Sequence, residues 1–196
     1  MVDRGTTKLP RNRFLSWPQI KTLQQSGLVE IASHSDNLHR GQAGNPMGSE
    51  FAAALSGYYR NGRYETAEKY RYRIEADLKT SADKIKRHTG VRPRIIVWPY
   101  GQFNQTAVNI ARKTGFDGSF SLYDRRLNRL SDGHIGRAML DEGSDTAFLQ
   151  AYLQEQLPRH RPQKIAHVDL DYIYDTDERQ MNRNIDALID RISKLG

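Results

Sequence analysis

The stretch "RPRIIVWPYGQFNQTAVNIARKTGFDGSFSL", residues 92–122, carries the pattern on which the fold turns. Ile95, Ile96, Val97 and Trp98 form an apolar, largely β-branched run, which predicts a buried strand over 94–98. Pro99 closes that run, and "PYGQFN" turns the chain away from it. Asn104 stands where a helix N-cap belongs, ahead of "QTAVNIARKTG", which Gly115 terminates. "FDGSFSL" then returns as another strand. Strand, helix and strand in immediate succession are the repeating unit of a parallel α/β sheet.

The same alternation extends outward in both directions. Ser16 can cap a helix through "SWPQIKTLQQSG", with Pro18 in its first turn and Gly27 as its stop, and "LVEIAS", 28–33, reads as a short buried strand. A long amphipathic helix is predicted from Thr66 to His88, with Tyr70, Ile74, Leu78 and Ile85 at helical spacing and Gly90 beyond its end. Between these, "RGQAGNPMGSE" and "LSGYYRNGRYE" read as irregular, turn-bearing loop. Toward the C-terminus come a short strand at "HIGRAML", a helix over 145–157, a linker "LPRHRPQ" and a strand "KIAHVDLDYIYD". The last predicted element is an amphipathic helix over 177–195 on Met181, Ile185, Leu188, Ile189 and Ile192. The expected class is therefore α/β with a largely parallel sheet, whose chemistry gathers where strands end and loops begin.

A chain of 196 residues suffices for one ordinary domain with a real core, and 37% hydrophobic with 27% charged residues is a globular composition. No run of eighteen apolar residues occurs, and "MVDRGTTKLPRNRF" lacks the apolar centre of a secretory signal. Cysteine is absent, which removes disulfides, thiolate ligands and cysteine nucleophiles and leaves His, Asp and Glu to hold any metal. The net charge of +7 would suit a polyanion, yet the bases interleave with acids, as in "RYETAEKYRYRIEADLKTSADKIKR". A solvated basic surface, with no nucleic-acid partner, is the expectation.

Several short motifs could carry chemistry. In "IASHSDNLHRG", 31–41, His34 and His39 follow the predicted strand and could converge on one cation, or could simply be surface imidazoles; two ligands do not complete a site. "VWPYG", 97–101, could aim a backbone N–H at an oxyanion and offer rings to a sugar, or merely close the end of a barrel with aromatic packing. Asp169, Asp171 and Asp175 alternate along a predicted strand and would serve glycoside hydrolysis, a hard metal or a salt-bridged face. His88, His134, His160 and His167 are scattered singly and read as structural or surface residues. There is no Gly-x-Ser-x-Gly elbow, no His-Glu-x-x-His helix and no glycine-rich phosphate or dinucleotide loop.

Taken in order, "ASHSDNLH", "RYETAEKYRYRIEADL", "VWPYGQFN", "GFDGSFSL" and "HVDLDYIYD" with "QMNRNIDALIDRI" resemble the polysaccharide deacetylase family, in particular its members acting on the β-1,6-linked N-acetylglucosamine polymer of bacterial biofilms. The likeness runs from about Ser16 over nearly the whole chain. It implies a distorted (β/α) barrel and a divalent metal, zinc first, with nickel, cobalt or iron as alternatives. Two histidines matching His34 and His39 hold the metal together with one aspartate. It also implies that the Tyr100 backbone N–H is the oxyanion donor, and that Trp98, Pro99 and Tyr100 line the substrate groove. The reaction implied is metal-assisted hydrolysis of the acetamide, releasing acetate and leaving a free amine.

The same resemblance exposes a gap. The family's remaining ligand and its general base are an adjacent Asp-Asp pair on an early strand, its general acid histidine lies upstream as well, and no Asp-Asp occurs in this chain. The implied architecture is a partial barrel lacking its first strands. Residues 1–157 would be the C-terminal part of the deacetylase domain, and 158–196 a linker with the first βα unit of a second, glycoside-hydrolase-like domain. Little or no activity is then expected of these residues alone. Asp36, between the histidines, is a weaker candidate for the third ligand. The implied location is the periplasm or outer membrane, with an export-machinery partner there. The competing readings are a non-catalytic polysaccharide-binding remnant and a basic nucleic-acid-binding protein.

Overall fold

The computed structural model describes residues 14–122, 128, 134–137, 146–147, 150–151 and 178–193. In chain order these form α1 (Trp17–Gln25), two hairpins, β1 (Gly41–Ala43) with β2 (Glu50–Ala52) and β3 (Tyr59–Arg60) with β4 (Arg63–Tyr64), then α2 (Ala67–Thr89), β5 (Ile95–Val97), α3 (Gln105–Lys113), β6 (Gly118–Phe120) and α4 (Glu178–Ser193).

β5 and β6 pair in parallel, with Ile96 opposite Ser119, as the 92–122 stretch predicts. A single parallel bridge flanks the pair on each side, Ser33 to Ile96 and Phe120 to Ile135. Four segments thus lie side by side in sequence order, and the class is α/β. The strand predicted over 28–33 shrinks to that one bridge, and the one predicted at "HIGRAML" to Ile135. The reason at 28–33 is visible: Ser33 makes both ladder bonds, to the Ile95 carbonyl and from the Val97 N–H, while Val29 turns instead to an apolar cluster with Leu23 and Ile185.

The helices form where their ends are satisfied. At α1, Ser16 Oγ accepts from the Gln19 N–H while the Gln19 side chain accepts from the Ser16 N–H at 2.7 Å, a capping box that pairs two otherwise orphaned donors. Thr66 caps α2, Lys86, Arg87 and His88 occupy its last turn where the helix dipole favours cations, and Gly90 adopts the left-handed cap at φ 87°. Asn104 caps α3 through the Ala107 N–H and donates to the Leu55 carbonyl. Tyr70, Ile74, Leu78 and Ala82 of α2 meet Ile96, Trp98, Val108, Ala111 and Phe116 in one core. Burial of each large aliphatic there contributes about 1.5–3 kcal/mol.

Tyr70 donates its hydroxyl to the Ala54 carbonyl at 2.6 Å, and burial pushes its pKa up to about 12. A raised folded-state pKa favours the neutral phenol. Its stabilisation is therefore full below the ordinary tyrosine value near pH 10 and fades as the pH climbs toward about 12. Tyr70→Phe should cost about 1 kcal/mol at neutral pH, and urea unfolding from pH 9 to 12 should show the gap to wild type closing. A gap that widens would contradict this.

One departure and two agreements remain among the other predicted segments. The loops read as irregular are two hairpins, the second joined by Asn61 and Gly62 at φ 52° and 74°, the two left-handed residues of a tight I′ turn. The C-terminal helix, predicted over 177–195 and found as α4, buries Ile185 against Leu23 of α1, and Gln19 Nε2 donates to Asn182 Oδ1 at 2.8 Å. The helix predicted over 145–157 is helical where it is described, at 146–147 and 150–151. The linker, the strand bearing Asp169, Asp171 and Asp175, and His160 and His167 lie outside the described residues.

Candidate metal centre

Ser33 is the bridge residue of its segment, and His34 follows directly at the carboxyl end of the parallel row. His34 Nδ1 lies 2.9 Å from the Val97 carbonyl oxygen. A carbonyl can only accept, so Nδ1 carries the proton and the lone pair belongs to Nε2, the tautomer a metal-binding imidazole needs. The chain then turns through Ser35 in the left-handed region at φ 75°. The Ser35 N–H donates to Ser33 Oγ, and Ser35 Oγ accepts from the Leu38 N–H at 3.1 Å. Leu38 is buried in the core and pins the far end of the loop, so His39 emerges beside His34.

On the neighbouring strand, β5 ends in a single 3₁₀ turn, Pro99–Gly101, in which Tyr100 sits at φ 57°, ψ 10°. A non-glycine residue held there stores about 1–3 kcal/mol, and such strain concentrates at functional sites. The His39 ring stacks on the Tyr100 ring, centroids 4.3 Å apart at 13°, and lies 5.1 Å from the His34 ring. Two imidazoles bonded to one tetrahedral ion at about 2.0–2.1 Å have centroids about 5 Å apart, so the spacing suits a shared cation. Among the described residues no third His, Asp or Glu completes the set. Asp36 does not supply it: its carboxylate pairs with the Lys84 ammonium, away from the imidazoles. The donor set therefore fits a metal as two nitrogens without a carboxylate.

Trp98 and Pro99 were expected on the groove wall, and the structure buries both completely. The cause is their position: the strand delivers them into the core, where Trp98 stacks on Phe103 at 5.5 Å and Phe103 meets the edge of His134 at 5.3 Å. They support the turn from beneath, and of the three groove residues only Tyr100 reaches the surface. Gly101, at φ 63°, has no room for a Cβ, which would meet the Leu122 backbone nitrogen at 2.6 Å. Gly101→Ala should destabilise the fold by about 1–3 kcal/mol, seen as a lowered thermal midpoint; an unchanged midpoint would contradict the packing described.

Helix α2 supplies partners that sequence reasoning missed. Ser33 Oγ donates to Ser81 Oγ at 2.9 Å, inside the core. The Asp77 carboxylate accepts the N–H of Asp36 at 2.9 Å and that of Asn37 at 2.7 Å. Burial pushes the Asp77 pKa up, and the two amide donors work against that shift. A faint signal existed: 77, 81 and 84 are polar at i, i+4 and i+7, next to the apolar 74, 78 and 82. His88, expected to be structural or on the surface, is exposed and stacks on Trp17 at 4.2 Å.

Residues 5–119 match the family model of polysaccharide deacetylases. The chain belongs to the polysaccharide deacetylase family. Enzymes of this family are in general metal-dependent, in keeping with an imidazole pair at the strand ends. Residues 167–196 match a second model, hypothetical glycosyl hydrolase family 13. The poly-beta-1,6-N-acetyl-D-glucosamine N-deacetylase of Escherichia coli is 36% identical over 99% of this chain, which spans 29% of that relative's length. Among solved structures, a de-N-acetylase from Aggregatibacter actinomycetemcomitans is similar at TM-score 0.71 and 41% identity, covering 78% of this chain and 58% of its own. The BpsB deacetylase domain from Bordetella bronchiseptica follows at TM-score 0.58 and 46% identity, covering 61% and 46%. No helix among the described residues is long and apolar enough to cross a membrane.

Proposed function

We propose that this chain carries the histidine pair and the oxyanion turn of a metal-dependent N-deacetylase acting on β-1,6-linked poly-N-acetylglucosamine. The observation that carries the proposal is the row of three rings. His34 and His39 lie 5.1 Å apart at the strand ends, His39 stacks on Tyr100, and a carbonyl fixes the His34 tautomer. The substrate is the one named for the Escherichia coli relatives, poly-beta-1,6-N-acetyl-D-glucosamine.

Each residue then has a task. His34 and His39 hold the cation, for which zinc suits imidazole donors best, with nickel, cobalt or iron as alternatives. When bound, such an ion supplies Lewis acidity for attack of water on an acetamide. Tyr100 turns its backbone N–H toward the developing oxyanion, and its ring gives one sugar a flat wall. The third ligand and the general base are an adjacent aspartate pair, which these 196 residues do not contain. The chain alone should therefore be at least about 10²–10⁴-fold slower than one that includes the base.

The parallel segments follow one another in sequence order, which supports closure into a (β/α) barrel when further strands are present. The match of residues 167–196 to a glycosyl hydrolase model supports reading 1–157 as deacetylase and 158–196 as a linker and the opening of a second domain. An exported polymer as substrate supports a working site in the periplasm or at the outer membrane, beside export machinery. The deciding experiment fuses the early strands of the Aggregatibacter de-N-acetylase ahead of this chain and measures acetate release from β-1,6-linked N-acetylglucosamine oligomers. Activity that His34→Ala abolishes is expected. A folded, zinc-loaded chimera that releases no acetate would overturn the proposal.

A further inference from the structure

Resting on the metal-site reading above, we infer that Asp77 is the positioning residue of that site, clasping the loop that carries both imidazoles through the backbone N–H groups of residues 36 and 37.

The loop 34–39 is short, exposed and strained at Ser35, so the geometry of its two rings must be set from outside. Helix α2 provides that support along one stripe. Asp77, Ser81 and Lys84, at i, i+4 and i+7, touch the segment 33–37 in turn. Ser81 meets Ser33, at the strand end before His34. Asp77 takes two consecutive peptide N–H groups midway between the histidines. Lys84 holds the Asp36 carboxylate, keeping that acid off the imidazoles.

Of the three, Asp77 does what no neutral side chain can. Its two oxygens accept two N–H groups at once, and both bonds are to a charged acceptor, the stronger kind. Asparagine would offer one oxygen and present an amide donor to the second N–H, forcing the loop to move. Because His34 and His39 sit at the two ends of the clasped segment, that movement changes the distance between their rings. The effect on a bound cation should match what outer-shell partners usually bring.

The test uses the full chain with Asp77→Asn, Asp77→Glu and, as a control on the same helix, Glu75→Gln, whose parent forms an exposed pair with Lys79. Zinc alone is titrated against a chromophoric chelator, and the ring ¹H–¹⁵N resonances of His34 and His39 are recorded without metal. Asp77→Asn should weaken zinc binding about 10- to 100-fold and shift both sets of ring resonances, while Glu75→Gln changes neither. Asp77→Glu keeps the charge and should recover part of the affinity, and it replaces the asparagine variant should that one fail to fold. A lowered thermal midpoint with unmoved ring resonances would make Asp77 merely structural and overturn the inference. Zinc binding by wild type that ignores His34→Ala would sink the metal-site reading instead, and the metal-free ring resonances still decide whether Asp77 sets the loop.

Discussion

Replacing His34 with alanine will lower the affinity of this chain for zinc by more than about 100-fold. The bound is set by comparison: altering a partner of a ligand typically brings a 10- to 100-fold loss, and removing one of two ligands must exceed it. The two imidazoles lie 5.1 Å apart, so the loss of either leaves a single nitrogen donor, with no carboxylate among the described residues to replace it. His39→Ala should be as damaging to binding and should also release the Tyr100 ring it stacks on. Chelator competition at pH 7.5 separates these cases, with His88→Ala as the control, because His88 stacks on Trp17 far along α2. Zinc stoichiometry that survives both substitutions would exclude the pair as the site.

The largest effect on stability is expected at Glu65. Its side chain is 1% exposed and forms a two-pronged pair with Arg73, Nε to Oε1 at 2.9 Å and Nη2 to Oε2 at 2.8 Å, while Arg73 also donates to the Ala53 carbonyl. Glu65→Ala leaves a largely buried guanidinium uncompensated, which costs about 3–5 kcal/mol. With the Arg73 side chain 18% exposed, water relieves part of the charge, and the lower end applies. The exposed Glu75 and Lys79 pair, also close at 2.5 Å, should contribute far less, because water screens it. Urea unfolding of Glu65→Ala and Glu75→Ala side by side gives the contrast. Equal losses would mean that burial does not decide the worth of the first pair. Replacing Glu65 and Arg73 together with apolar residues of similar volume should recover much of the loss, because no buried charge is then left alone.

The helices and their caps were legible because their signals are local. Ser16, Asn104, Gly90 and the apolar positions of α2 each act within a turn or two of chain, and spacing alone reveals them. The segment 28–33 misleads because its apolar residues have two available partners. Val29 belongs to the cluster with α1 and α4, and only a tertiary contact shows which partner wins. The hairpin at Asn61 and Gly62 is hard to read although Asn-Gly is the strongest short signal for one, since its two-residue strands offer no alternation. The histidine pair and Tyr100 were legible through spacing together with family likeness. Asp77 was not, for in a helix rich in acids it looks like any solvated carboxylate, and its partners lie forty residues earlier.

His39 and Tyr100 lie almost parallel, 13° apart, with centroids 4.3 Å from each other. Stacked rings attract each other by about 0.5–1.5 kcal/mol, which favours joint over independent movement of the imidazole and the peptide group behind the phenol. On the function proposed above, a cation held by His39 and the Tyr100 N–H would keep their mutual spacing even while the cleft around them widens.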